Sequence, residues 1–99
     1  MTMYAIAFDM KTDSLKTEYG DPYNGAYQEI ESILSRHDFT RLQGSLYATS
    51  TAKNQLARTF SAIEELKSTS WFRKSVRDIR VFKIEDWSDF TPQFTDTDK

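Results

Sequence analysis

Few side chains in this 99-residue protein can do chemistry, and their spacing removes most of the usual mechanisms. There is no Cys, which excludes thiolate nucleophiles, thiolate metal sites and disulfides. A single His rules out a two-histidine acid/base pair within one chain. Neither a Gly-rich phosphate loop nor an HExxH helix is present. Carboxylate chemistry remains, and the most distinctively placed acid is Asp9, which abruptly ends the apolar run Met3-Tyr4-Ala5-Ile6-Ala7-Phe8. A carboxylate at a strand end can hold a hard divalent cation, Mg²⁺ or Mn²⁺, that keeps its waters and bridges phosphate oxygens. One carboxylate makes a weak site. Two Asp9 residues facing each other from two copies of the chain make a better one, because a cation relieves their repulsion. The alternative is an Asp that merely caps a turn.

Other candidates are binding groups. Ser45 and Tyr47, two residues apart on a predicted strand, share a face, Ser suited to a phosphate and Tyr to stacking on a base or to core packing. Arg73, Lys74, Arg77, Arg80 and Lys83 crowd one segment with only Asp78 against them. Such a run forms a phosphate-binding surface or a charged sheet edge protected from aggregation. His37, on the apolar side of a predicted helix near its C-terminus, reads as a helix-end packing residue.

Strict alternation makes 3–9 a strand with Tyr4, Ile6 and Phe8 on one face and Ala5, Ala7 and Asp9 on the other. A polar connection follows from Met10 to Gly20. Asp21-Pro22 signals a helix start, with Asp as N-cap and Pro at the first helical position. Tyr23, Ala26, Tyr27, Ile30, Ile33, Leu34 and His37 then recur at helical spacing. Phe39 to Leu42 and Ser45 to Thr49 read as two short strands joined by a tight turn at Gln43-Gly44. Thr51 is placed to cap a second helix with Leu56, Phe60, Ile63 and Leu66 as its stripe, ending between Lys67 and Ser70. Trp71-Phe72 marks a packed corner, and Val76 to Glu85 alternates as a longer final strand. In the tail, Trp87, Phe90 and Phe94 are expected to dock onto the body or onto a partner.

Strand, helix, strand, strand, helix, strand is the ferredoxin-like pattern: an α+β sandwich with a four-stranded antiparallel sheet, two helices on one face and a C-terminal extension. The domain is expected over 1–90, with an acidic tail over 91–99. The other sheet face then needs a partner, and a face-to-face homodimer would bring two Asp9 residues together. The fold by itself implies no activity.

Composition agrees with one folded domain: 38% hydrophobic and 14% aromatic residues suffice for a modest core that dimerisation would enlarge. The net charge of −2 argues against a general polyanion binder, yet five acids against one base lie from Glu85 to Lys99, which leaves the first 84 residues at +2. No secretory signal is expected, since the opening apolar run is too short and lacks a basic leader. No run approaches the roughly 20 apolar residues of a membrane span. A cytoplasmic location with no membrane partner is the expectation.

Four blocks in the same order carry a family likeness. Met3 to Asp9, Ala26-Tyr27 with Ile30, Gln43-Gly44-Ser45-Leu46-Tyr47, and Ser75-Val76-Arg77-Asp78-Ile79-Arg80 leading to Trp87-Ser88-Asp89-Phe90 resemble virulence-associated protein D, VapD. The first strand and the Gln-x-Ser strand are also similar, more distantly, to the small ferredoxin-like subunit of CRISPR spacer acquisition. The resemblance implies a homodimeric endoribonuclease acting as the toxin beside a cognate antitoxin protein. It carries a catalytic role to Asp9 and a substrate contact to Ser45. Tyr47, Arg73, Arg77 and Arg80 complete the expected RNA-binding set. The competing expectation is a noncatalytic nucleic-acid-binding or assembly module, motivated by the single catalytic candidate and the negative charge.

Overall fold

The computed structural model describes residues 2–49 and 53–95. Its centre is β1 (Met3–Met10), hydrogen-bonded on both sides within one antiparallel sheet of order β2-β3-β1-β4. The other strands are β2 (Phe39–Gln43), β3 (Leu46–Thr49) and β4 (Val76–Ile84). This order and the flanking helices are the ferredoxin-like α+β sandwich expected from the alternation of elements. Ile6, Phe8 and Met10 point to the helices and join one core. Met3 and Ala5 point the other way and form a second, smaller cluster with Ala48, against which Leu42, Leu46 and Ile84 pack.

Four helical segments cover the first face. α2 (Asn24–Ser35) buries Ala26, Ile30, Ile33 and Leu34, the spacing that its sequence foretold. It begins after Tyr23, not at Asp21-Pro22, whose peptide bond is cis and lies outside the helix. The expected polar connection over Met10 to Gly20 contains a helix, α1 (Thr12–Glu18), that buries a single apolar residue, Leu15. One apolar residue in seven gives no periodicity, so this helix was invisible to pattern reading.

α3 (Gln55–Ser68) corrects the expected stripe. Leu56 and Phe60 are 50% and 63% exposed, while Thr59, Ala62 and Leu66 face the core. Small side chains let the helix approach the sheet, and the Thr59 hydroxyl is satisfied by donating to the Gln55 carbonyl at 2.7 Å. Thr51, the expected cap, lies outside the described residues. Trp71-Phe72 does form a packed corner, as α4 (Ser70–Ser75), where Phe72 meets Phe8 edge-on at 5.7 Å. A last short helix, α5 (Thr91–Thr95), follows Asp89, whose Oδ1 accepts the Thr91 backbone N–H at 2.9 Å. The Thr91 side chain and this backbone bond hold the Asp89 carboxyl below its ordinary value.

His37 sits just past the C-terminus of α2, and its Nε2 lies 2.7 Å from Glu65 Oε1 on α3. Arg36 pairs with the other oxygen of the same carboxylate, so Glu65 ties the end of α2 to α3. Hydrogen bonds from Arg36 and His37 hold the Glu65 carboxyl below its ordinary value of 4.5. A depressed folded-state value means that the stabilisation is present above pH 4.5 and is lost as the pH falls through the lower value. Glu65→Gln should therefore lower stability near neutrality by no more than about 1 kcal/mol, as for a half-exposed pair. The gap from the parent should close as denaturant melts are moved toward pH 3, and a gap independent of pH would refute the assignment.

Candidate active site

Asp9 lies where β1 ends against β4. The register pairs Ala7 with Arg80 and Asp9 with Asp78, then shifts so that Met10 meets Val76. Arg77 has no opposite residue at this bulge. Bulges re-aim side chains and recur beside active sites. Because opposed residues share a face, Asp9 and Asp78 stand side by side on the face turned away from the helices. Asp9 is exposed, and Asp78 Oδ1 forms an ion pair with Arg80 Nη1 at 3.0 Å.

Two carboxylates directly opposite each other cost stability unless a cation or proton offsets them. Asp78 is the site residue that sequence reasoning missed. It was counted only as the lone acid within a basic run, and only the strand register reveals its neighbour. Within one chain no third His, Cys, Asp or Glu joins the pair among the described residues. That set fits a hard cation that keeps most of its waters and takes one or two carboxylates.

The basic run is divided by the fold. Arg73 is exposed on α4, Arg77 sits at the bulge, and Arg80 shares the face of Asp9. Lys83 turns to the other side, with Nζ 5.7 Å from the Tyr4 ring centroid. Arg77 and Arg80 thus flank the acid pair, whereas Arg73 and Lys83 do not share its face.

Ser45 is not on a strand. It occupies the two-residue turn between β2 and β3, beside Gly44, whose φ of 45° meets the positive angle that such hairpins demand at the first central position. The Ser45 carbonyl accepts the Phe8 N–H at 3.2 Å, which fastens the turn to the end of β1 next to Asp9. Tyr47 is 4% exposed, and its ring stacks on Phe8 with centroids 6.1 Å apart. Burial first, then the Glu31 charge, raises its phenol above the ordinary value, against an opposing effect of Arg41. A cleft of about 390 Å³ opens here between α2 and the hairpin, with Ser45 and Tyr47 in its lining.

A family model described as CRISPR associated protein Cas2 matches residues 1–91, which sets the class: small ferredoxin-like proteins of the Cas2 type. Within that class the chain belongs to the VapD family. It is 52% identical over 89 residues to "Endoribonuclease VapD" of Helicobacter pylori, covering 90% of this chain and 95% of the relative. It is 54% identical over 89 residues to the protein of the same name in Dichelobacter nodosus, covering 90% and 94%. A Neisseria gonorrhoeae "Endoribonuclease VapD homolog" is 49% identical over 90 residues, covering 90% and 95%.

The opposed acids separate a functional from a structural Asp9. Asp9→Asn removes the repulsion with Asp78 and should leave the fold intact, raising stability by up to about 1 kcal/mol. The readout is the denaturant midpoint. A loss exceeding that amount would show that Asp9 caps a turn and is needed for folding.

Proposed function

We propose that this protein, an endoribonuclease by its family, is the toxin of a toxin–antitoxin pair and cuts RNA phosphodiesters with Asp9 at a two-fold interface between two copies of the chain. The observation that carries this reading is the position of Asp9 beside Asp78, flanked by Arg77 and Arg80, on the sheet face opposite the one that α1 to α4 cover. The molecule is a slab of 41 × 39 × 19 Å, and 19 Å is the depth of two layers, one of sheet and one of helices. Its uncovered side is apolar in the middle. Leu42, Leu46 and Ile84 on the sheet and Trp87, Phe90 and Phe94 on the tail border an open hollow of about 670 Å³. Phe82, Trp87, Phe90 and Phe94 are 42–74% exposed, a patch of the kind that marks a protein interface. A second copy laid on this face buries the patch isologously and doubles the carboxylates available.

Four acids around one axis need a positive charge between them. The chemistry that a bound Mg²⁺ or Mn²⁺ supplies in such a place is polarisation of a phosphate oxygen and acidification of a water. The chain's own part is positional. Asp9 orients the attacking water and accepts its proton at a carboxylate oxygen, the bond from phosphorus to one ribose oxygen breaks and that oxygen leaves with a proton from solvent, and Arg77 and Arg80 neutralise the phosphate as charge builds on it. No helix among the described residues is long and apolar enough to cross a membrane, and the proposed RNA substrate fits a cytoplasmic protein.

Purified Asp9→Asn should cleave RNA at least about 100-fold more slowly than the parent while folding no less stably and still sedimenting as a dimer. Equal rates would remove Asp9 from the mechanism. Cleavage that survives EDTA would remove the cation and leave Asp9 as a base. Growth arrest on induction, relieved by co-expressed antitoxin and absent for Asp9→Asn, tests the toxin role. RNA bound in a salt-dependent way but left intact by the parent would favour a binding module.

A further inference from the structure

The cleft between α2 and the β2–β3 hairpin has a composition that phosphate binding does not explain. Its volume of about 390 Å³ falls within the range of small-ligand sites. Phe8 and Tyr47 are stacked on each other in its lining. Tyr27 stands on the α2 side, 40% exposed although the helical stripe marks it for the core. Its ring leans on Tyr23 at 6.4 Å, which holds it in place at little further entropic cost. One turn along the same helix face is Glu31, with Gln28 beside it. Neither has a hydrogen-bond or ion-pair partner among the described residues, and both line the cleft. Opposite them, Arg41 is pinned by donating from Nε to the Gly44 carbonyl at 2.9 Å.

The cleft also adjoins the acid pair. Phe8 lines it and directly precedes Asp9, and Ser45 in its lining holds the Phe8 N–H. The Asp9 charge reaches the Tyr27 hydroxyl, whose proton is held more tightly than usual, chiefly through burial and then through Tyr23 and Asp9. Phe8 and Asp9 leave β1 on opposite faces, so a nucleotide flanking a phosphodiester at Asp9 meets this cleft by passing around the C-terminal end of β1.

We propose that the cleft is a nucleobase subsite that selects one base next to the scissile phosphate, stacking it on Tyr27 and reading its edge with Glu31. Single-stranded RNA is recognised in this manner, by aromatic stacking of splayed bases with hydrogen bonds to their exposed edges. An ionised carboxylate only accepts hydrogen bonds, so Glu31 favours bases whose edge carries amino donors. Guanine, with two adjacent N–H donors on its Watson–Crick edge, pairs with both carboxylate oxygens at once. Uracil has no amino group and turns two carbonyl oxygens toward Glu31, so it is the worst fit. Arg41 and the Gln28 amide supply donors for the acceptors on the favoured base. The subsite rests on the ribonuclease reading above and adds to it the source of sequence preference.

The test maps cut sites of the purified protein on a randomised single-stranded RNA pool. The parent should show a preference at one position adjacent to the cut, with guanine highest and uracil lowest. Tyr27→Leu should slow cleavage about 10-fold by removing the stacking platform, and Tyr27→Phe should keep both rate and preference. Glu31→Gln, an exposed change that leaves the core untouched, should flatten the difference between guanine and uracil by slowing cleavage beside guanine while cleavage beside uracil stays as it was. Unaltered preference in both Tyr27→Leu and Glu31→Gln would overturn the subsite. So would a parent that cuts without regard to the adjacent base, a result that leaves the ribonuclease reading standing. RNA left intact by the parent would overturn that reading and the subsite with it.

Discussion

The structure depends on the double pairing of β1. Hydrogen-bonded to β3 on one edge and to β4 on the other, it is the strand that neither edge of the sheet can lose without the rest separating. Its two faces are committed to different tasks by alternation alone. Ile6, Phe8 and Met10 fill the space under the helices, and Met3 and Ala5 with Ala48 leave the opposite face low enough for close approach. A one-residue slip would send Phe8 outward and Asp9 into the helical core, an exchange that costs far more than any single hydrogen bond. Register is therefore fixed by burial, and with it the place of Asp9.

How much of this was legible follows from which signals are local. The β1 alternation, the α2 stripe and the hairpin turn at Gly44 are each written within a few residues, and each forms where its pattern lies. α1 carries only Leu15 inward and so has no period to read. In α3 the hydrophobic residues misled. Leu56 and Phe60 are the bulkier apolar groups, but the face that fits against the sheet is that of Thr59, Ala62 and Leu66, because distance and not polarity decided which face goes inward. Their exposure leaves α3 with an apolar outer surface that the fold itself does not use.

The candidate site divides along the same line. Asp9 was visible because an acid closing an apolar strand breaks a local pattern. Asp78 was not, because its importance lies in a partner nearly 70 residues away that only the β1–β4 register supplies. Tyr27 was hidden by success: it sits in phase with Ala26 and Ile30, so periodicity counted it as core. Its exposure arises where α2 overhangs the hairpin, an arrangement set by tertiary packing. Tyr47, for which base stacking and core packing were both open, is buried behind it and stacked on Phe8.

The electrostatics of the site explain why a chain with a net charge of −2 can still handle a polyanion. Long-range attraction is weak in such a chain, so binding energy must come from short-range contacts placed within a few ångströms of the phosphate. Arg80 is bound to Asp78 and Arg77 stands at a bulge beside the acid pair, which puts cationic groups where the phosphate is expected and few elsewhere on that face. The opposed acids act in the other direction, since a phosphate brought to Asp9 meets like charge, and of the two Asp78 alone is offset by a neighbouring arginine, Arg80. A general polyanion binder adds basic residues without regard to position. Here Arg80 is already matched to Asp78, so a phosphate gains from it only by sharing or replacing that carboxylate contact. Net charge therefore carries no preference among bases, and any such preference has to come from directional contacts of the kind the adjoining cleft presents through Tyr27, Gln28, Glu31 and Arg41.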